Sequence, residues 1–175
     1  MTNVLNQAWL QPVRMSRIIL HWSAGAHKAS ALDKEHYHII VEGSGSLVKG
    51  DNDISDNANT ADGDYAAHTR GTNTGSIGVS LACMAGAIER PFNPGKFPMT
   101  KAQWDKAMQV IAELATFYKI PVTDKTILSH AEVQTNLGIP QAGKWDVSRL
   151  AFDPSVVGAK ACGDKMRAEV KALMA

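Results

Sequence analysis

The chain has 175 residues, 45% hydrophobic and 20% charged, with a formal net charge of +1. Length and composition point to one globular domain over residues 1–175, with its core at about 15–150 and a C-terminal helical segment at 154–174. A charge so near zero gives no electrostatic case for nucleic acid or an anionic membrane surface, and no apolar stretch approaches the roughly 20 residues of a membrane span.

The segment from Met1 to Val13 has neither the basic n-region nor the apolar h-region of a signal peptide, so synthesis in the cytoplasm is expected. Residues 17–22, Arg-Ile-Ile-Leu-His-Trp, read as a buried strand ending in a polar residue. Residues 26–36 suit a short helix, and residues 37–42, Tyr-His-Ile-Ile-Val-Glu, read as a second strand. The turn Gly43-Ser44-Gly45 and a return strand from Leu47 make a hairpin. Residues 50–64, crowded with Asp, Asn, Gly and Ser, form a long surface loop of the kind that often carries function. Residues 76–83 read as a central strand, in which Cys83 acts as a small buried hydrophobe. With Cys162 it makes a pair too sparse for a disulfide framework or a cysteine zinc site. After a Pro/Gly-rich loop at 91–98, Thr100 caps an amphipathic helix over 101–118 with Trp104, Met108, Ile111, Leu114, Ala115 and Tyr118 inward. A short strand, Thr126–Ser129, leads into His130, and residues 140–153 are irregular. A final helix over 154–174 turns Val156, Val157, Met166, Val170 and Leu173 inward, weakened by Gly158 and Gly163. Strands that alternate with helices and also pair as a hairpin predict an α/β mixed fold, a central mixed sheet flanked by helices.

Of six histidines, two end apolar strands: His21 after Arg17–Leu20, and His130 after Thr126–Leu128. The end of a buried strand is rigid yet opens on a cleft, which suits a metal ligand or catalytic group, and neutral imidazole is a common zinc ligand. Asp146, in Gly143-Lys144-Trp145-Asp146, offers a third ligand. Two histidines and a carboxylate leave a tetrahedral position for water, the pattern of a catalytic zinc. On spacing alone this is one of several combinations the chain offers.

Four blocks in order narrow the choice: Ile18 to Gly25; His36 to Val41; Ala67-His68-Thr69-Arg70-Gly71-Thr72-Asn73-Thr74-Gly75-Ser76-Ile77-Gly78-Val79; and Ser129-His130-Ala131-Glu132 with Lys144-Trp145-Asp146. They resemble the type 2 N-acetylmuramoyl-L-alanine amidases, which include phage endolysins and are related to animal peptidoglycan-recognition proteins. The third block is the most specific, because it resembles a His-x-x-Gly-x-Asn-x-x-Ser-Ile-Gly signature. The resemblance implies a single-domain amidase fold with Zn2+ on His21, His130 and Asp146, and Tyr37 and Lys144 catalytic beside it. It implies hydrolysis of the amide between the lactyl group of muramic acid and L-alanine. Ser80 stands where some relatives carry a catalytic glutamate, which gives Tyr37 more weight. His68 and Asn73 are assigned to substrate, with a structural role open to both. His36 and His38 are placed together on the sheet face opposite Tyr37, and His27 on the surface. Trp22 and Trp145 either wall the site or pack. The implied partner is peptidoglycan, a muramyl peptide, with no nucleic acid, no stable membrane insertion and a monomeric chain. The implied setting is a phage endolysin made in the host cytoplasm and acting on the cell wall after release. A non-catalytic peptidoglycan-binding module and a cytoplasmic wall-recycling amidase are the alternatives.

Overall fold

The computed structural model describes residues 2–175. Its centre is a five-stranded mixed sheet built from β1 (Arg17–Trp22), β2 (Ile39–Val41), β3 (Leu47–Lys49), β4 (Ser76–Leu81) and β5 (Ile127–Ser129), in the order β3-β2-β4-β1-β5. β2, β4, β1 and β5 run parallel, and only the edge strand β3 is antiparallel. Parallel strands covered on both faces read as continuous apolar runs, and β1 is buried from Ile18 to Trp22. Strand alternation still assigns a face to each residue. Ile18, Leu20 and Trp22 of β1, with Ile77, Val79 and Leu81 of β4, enter the large apolar core. Ile19 joins a second, smaller cluster with Leu128 and Val133, and His21 shares its face.

The four helices are α1 (Ala31–His36), α2 (Lys101–Tyr118), α3 (His130–Leu137) and α4 (Ala159–Met174). α2 forms where the spacing predicts, with Thr100 and Gln103 in a reciprocal cap at its start. All six of its expected inward residues are buried. The sequence reading passes over Glu113, which is also buried and holds the N-terminal segment: its carboxylate accepts the Val4 and Leu5 amides at 2.7 and 3.1 Å. Both cysteines are buried and unpaired. Among the described residues no helix is long and apolar enough to cross a membrane.

Three local expectations need correction. The helix expected from residue 26 starts at Ala31, because Ser30 caps it and pairs reciprocally with Asp33. The second strand starts at Ile39, not Tyr37; Tyr37 is the extended residue that ends α1, its amide still bonded to the Asp33 carbonyl. The last helix starts at Ala159, after Gly158 at φ 104°, so Val157 is exposed, and Leu173 also lies partly in solvent. Gly163 does not break that helix. It gives the backbone room beside Glu132, whose carboxylate would collide with any Cβ there, and Glu132 is paired with the buried Arg167 at 2.8 Å.

Candidate metal centre and groove

His130 and Asp146 line a groove of about 1340 Å³, and His21 lies fully buried against them. Each of these three side chains is placed by a different element. His21 is the last residue but one of β1, in parallel register with Ser80 of β4. His130 is the first residue of α3, directly after β5. Asp146 arrives from the irregular segment after α3, where Ala142 (φ 52°) and Gly143 (φ 75°) are successively left-handed and turn the chain inward. The Asp146 carbonyl then accepts the Ala131 amide, tying this segment to the first turn of α3.

The three side chains converge. His21 Nδ1 lies 3.1 Å from His130 Nδ1 and 3.2 Å from Asp146 Oδ2, and His130 Nδ1 lies 3.4 Å from Asp146 Oδ1. All three residues are buried, and their candidate ligand atoms fall within 4.8 Å of one another. The outer hydrogen bonds decide which way the rings present their lone pairs. His130 Nε2 meets the amide oxygen of Gln141 at 2.7 Å, an acceptor, so Nε2 carries the proton. His68 Nε2 faces the Ser76 carbonyl at 3.2 Å and donates, which leaves His68 Nδ1 an acceptor. That atom takes the His21 Nε2 proton directly at 3.1 Å, or through the Thr69 hydroxyl at 3.3 and 2.8 Å. Either route leaves a lone pair on His21 Nδ1. Burial pushes His21 down to about 4 and His68 well below its ordinary value, so both rings are neutral near pH 7. Burial works against ionisation of Asp146, but the adjacent His130 and His21 outweigh it and hold the carboxyl below its usual value. Two imidazole nitrogens and a carboxylate therefore face one another at 3.1–3.4 Å. That donor set fits a cation of zinc type.

Around this cluster the other expected residues separate. Tyr37 is half-buried with its ring 5.1 Å from that of His21. Burial, then the charge of Asp146, pushes its phenol up and keeps it protonated. Ser80 is buried near the Tyr37 hydroxyl, yet its Oγ has no partner in hydrogen-bond geometry. Lys144 is exposed on the groove rim. His68 is buried against Gly78, and Asn73 Oδ1 accepts the His68 and Thr69 amides at 3.0 and 2.9 Å, so both brace the loop while lining the groove. Trp22 and Trp145 meet edge to face at 4.8 Å and wall one end. His36 and His38 do not share a face, because Tyr37 ends a helix and does not lie within the strand. His36 lines the groove and binds the Ala67 carbonyl, whereas His38 is buried between Asn57 and the Gly78 amide. His27 is half-buried, not on the surface, and reaches the Pro98 carbonyl at 2.8 Å.

Gln141 and Thr69 escape sequence reading. Gln141 is an unremarkable polar residue in an irregular stretch, Thr69 stands in the third motif block without a role of its own there, and the partner of each lies on another element.

The sequence pattern that defines the N-acetylmuramoyl-L-alanine amidases matches residues 11–148, from before β1 to just past Asp146. The chain belongs to this family. Solved structures agree at the level of the amidase fold. The hydrolase AmiA of Staphylococcus aureus, in complex with its ligand, is 13% identical, with a TM-score of 0.54 over 90% of this chain and 73% of that one. A mutant of PlyL is 16% identical, with a TM-score of 0.53 over 91% and 86%. The endolysin amidase LysCS from Clostridium intestinale URNW is 14% identical, with a TM-score of 0.51 over 95% and 93%. Comparison with curated protein sequences gives no match. All four motif blocks contribute residues to the groove lining, although they are scattered along the chain.

Proposed function

We propose that this chain is a zinc-dependent hydrolase of bacterial peptidoglycan, cutting the amide between the lactyl group of muramic acid and the L-alanine of the stem peptide. The observation that carries the reading is the convergence of His21 Nδ1, His130 Nδ1 and the Asp146 carboxylate beside an open groove that His130 and Asp146 line. His21, His130 and Asp146 would hold the zinc, which would supply Lewis acidity toward a scissile carbonyl and toward water near neutral pH.

The chain's own groups do the remaining work. Tyr37, kept protonated by burial, donates a hydrogen bond at the reacting centre and delivers a proton toward the leaving amine. Lys144, on the rim two residues before Asp146, brings the positive charge that stabilises a developing oxyanion. Trp22 and Trp145 close one end of the groove against water. His68 and Asn73 line the wall where a muramyl peptide lies. Asn73 Nδ2, which makes no hydrogen bond among the described residues, is the group it offers to substrate. Within the family the chain suits a phage endolysin that acts as a monomer on the cell wall during host lysis, a setting supported by its fold likeness to LysCS.

The test is digestion of purified peptidoglycan followed by mass spectrometry. Stem peptides with free N-terminal L-alanine are expected, together with glycans that keep their lactyl groups. Stripping the metal should stop the reaction and zinc should restore it. Cleavage between sugars, cleavage within the stem, or full turnover by protein verified to be metal-free overturns the proposal.

A further inference from the structure

Gln141 belongs to none of the four motif blocks, yet it bonds at once to the Arg70 loop and to two residues of α3. It is 5% exposed. Its side-chain nitrogen donates to the Arg70 carbonyl at 2.8 Å, 71 residues away in sequence. Its backbone amide donates to Gln134 Oε1 at 3.0 Å, on the same α3 helix that begins with His130. Its side-chain oxygen lies 2.7 Å from His130 Nε2.

These contacts leave no freedom in the assignment of atoms. A carbonyl can only accept, so the atom facing Arg70 is the amide nitrogen and the atom facing His130 is the amide oxygen. The amide oxygen also only accepts, so His130 Nε2 must carry the proton. A neutral imidazole then keeps one lone pair, on Nδ1, which points toward His21 Nδ1 and Asp146 Oδ1. If the Gln141 oxygen is removed, the Nε2 proton loses its partner in a buried site. The ring can then move that proton to Nδ1, where it blocks the lone pair a cation needs.

We propose that Gln141 is a positioning residue that sets the tautomer of His130 and so prepares the metal centre. The proposal rests on the zinc reading above. Bracing of the loop at Arg70 is a separate property of the same side chain, and the two can be told apart. Glutamate keeps an acceptor toward His130 Nε2 but loses the donor toward the Arg70 carbonyl. Methionine has similar length and loses both.

The experiment uses the full chain as wild type, Gln141→Met and Gln141→Glu. Zinc affinity is measured by competition with a chromophoric chelator, and the ring tautomer of His130 by nitrogen-15 NMR on metal-free protein. Partners of metal-ligating histidines typically change metal affinity by about 10–100-fold when removed. Gln141→Met should lose affinity in that range and show His130 in mixed tautomers. Gln141→Glu should bind zinc within roughly threefold of wild type and keep its proton on Nε2. Equal loss in both variants overturns the proposal, because bracing of Arg70 is then the whole role. Unchanged affinity in Gln141→Met also overturns it, as does an Nδ1-protonated His130 in wild type. A wild-type chain with no zinc affinity defeats the metal reading instead, and the NMR comparison still decides what Gln141 does to His130.

Discussion

Gly78 is where the close contact between the sheet and its active face can be tested most directly. A Cβ at that position would lie 2.7 Å from Cδ2 and Cγ of the His68 ring and 3.2 Å from its Nδ1. Ordinary carbon contacts begin near 3.5 Å, so Gly78→Ala obliges the ring to retreat by about 1 Å. The ring cannot do so without loosening its bonds to the Ser76 carbonyl (3.2 Å) and to His21 Nε2 (3.1 Å). Overpacking of this kind costs about 1–3 kcal/mol, and a shift of about 1 Å passed on to a catalytic group lowers rates by on the order of 100-fold. Urea denaturation of metal-free wild type, Gly78→Ala, His68→Ala and the double variant measures the coupling. Without the ring there is nothing to strike, so the cost of Gly78→Ala should fall to a few tenths of a kcal/mol in the His68→Ala background, a coupling of about 2 kcal/mol. If Gly78→Ala costs the same in both backgrounds, the clash lies elsewhere and the reasoning is wrong. If zinc affinity and turnover survive in the single variant, His68 does not hold His21.

Tyr37→Phe and Lys144→Ala should keep wild-type zinc affinity in competition titrations while kcat falls, by about 100–10,000-fold for the proton donor and about 100–1,000-fold for the cation. A second expectation concerns acid. Burial holds His38 down to about 4, against about 6.5 in an unfolded chain. Above pH 6.5 the ring is neutral in both states. Between about 6.5 and 4 the unfolded chain takes up a proton that the folded chain resists, so stability is lost as pH falls through that window. His38 alone accounts for on the order of 3 kcal/mol, and a pH series of denaturation midpoints on metal-free protein should show the fall, with a shallower slope in His38→Asn. Finally, Arg167→Met should destabilise by about 3–5 kcal/mol in chemical denaturation, because it leaves the buried Glu132 carboxylate without its partner. Replacing Glu132 by Gln in the same chain should recover part of that loss.

Much of the frame was legible in the sequence because it is local. The apolar runs of β1 and β4 announce buried parallel strands, and the spacing of Trp104, Met108, Ile111 and Leu114 behind Thr100 announces α2. The motif blocks single out His21, His130 and Asp146 before any coordinate is known, and these are the side chains that converge. Tyr37 was misplaced in a strand because periodicity over a few residues does not show where a six-residue helix stops, and the misplacement put His36 and His38 on the wrong faces.

What depended on the tertiary structure is everything that needs two distant segments at once. No local pattern tells that Gly78 is small so that His68 can lie on the sheet, that Gln141 turns the ring of His130 while bonded to Arg70, or that Gly163 is small to admit Glu132. Sequence determines local conformation through side-chain shape and backbone propensity, and it determines which residue types are present. Hydrogen-bond direction, ring tautomer and steric allowance are properties of pairs. They come into being only when folding brings the partners within a few ångströms.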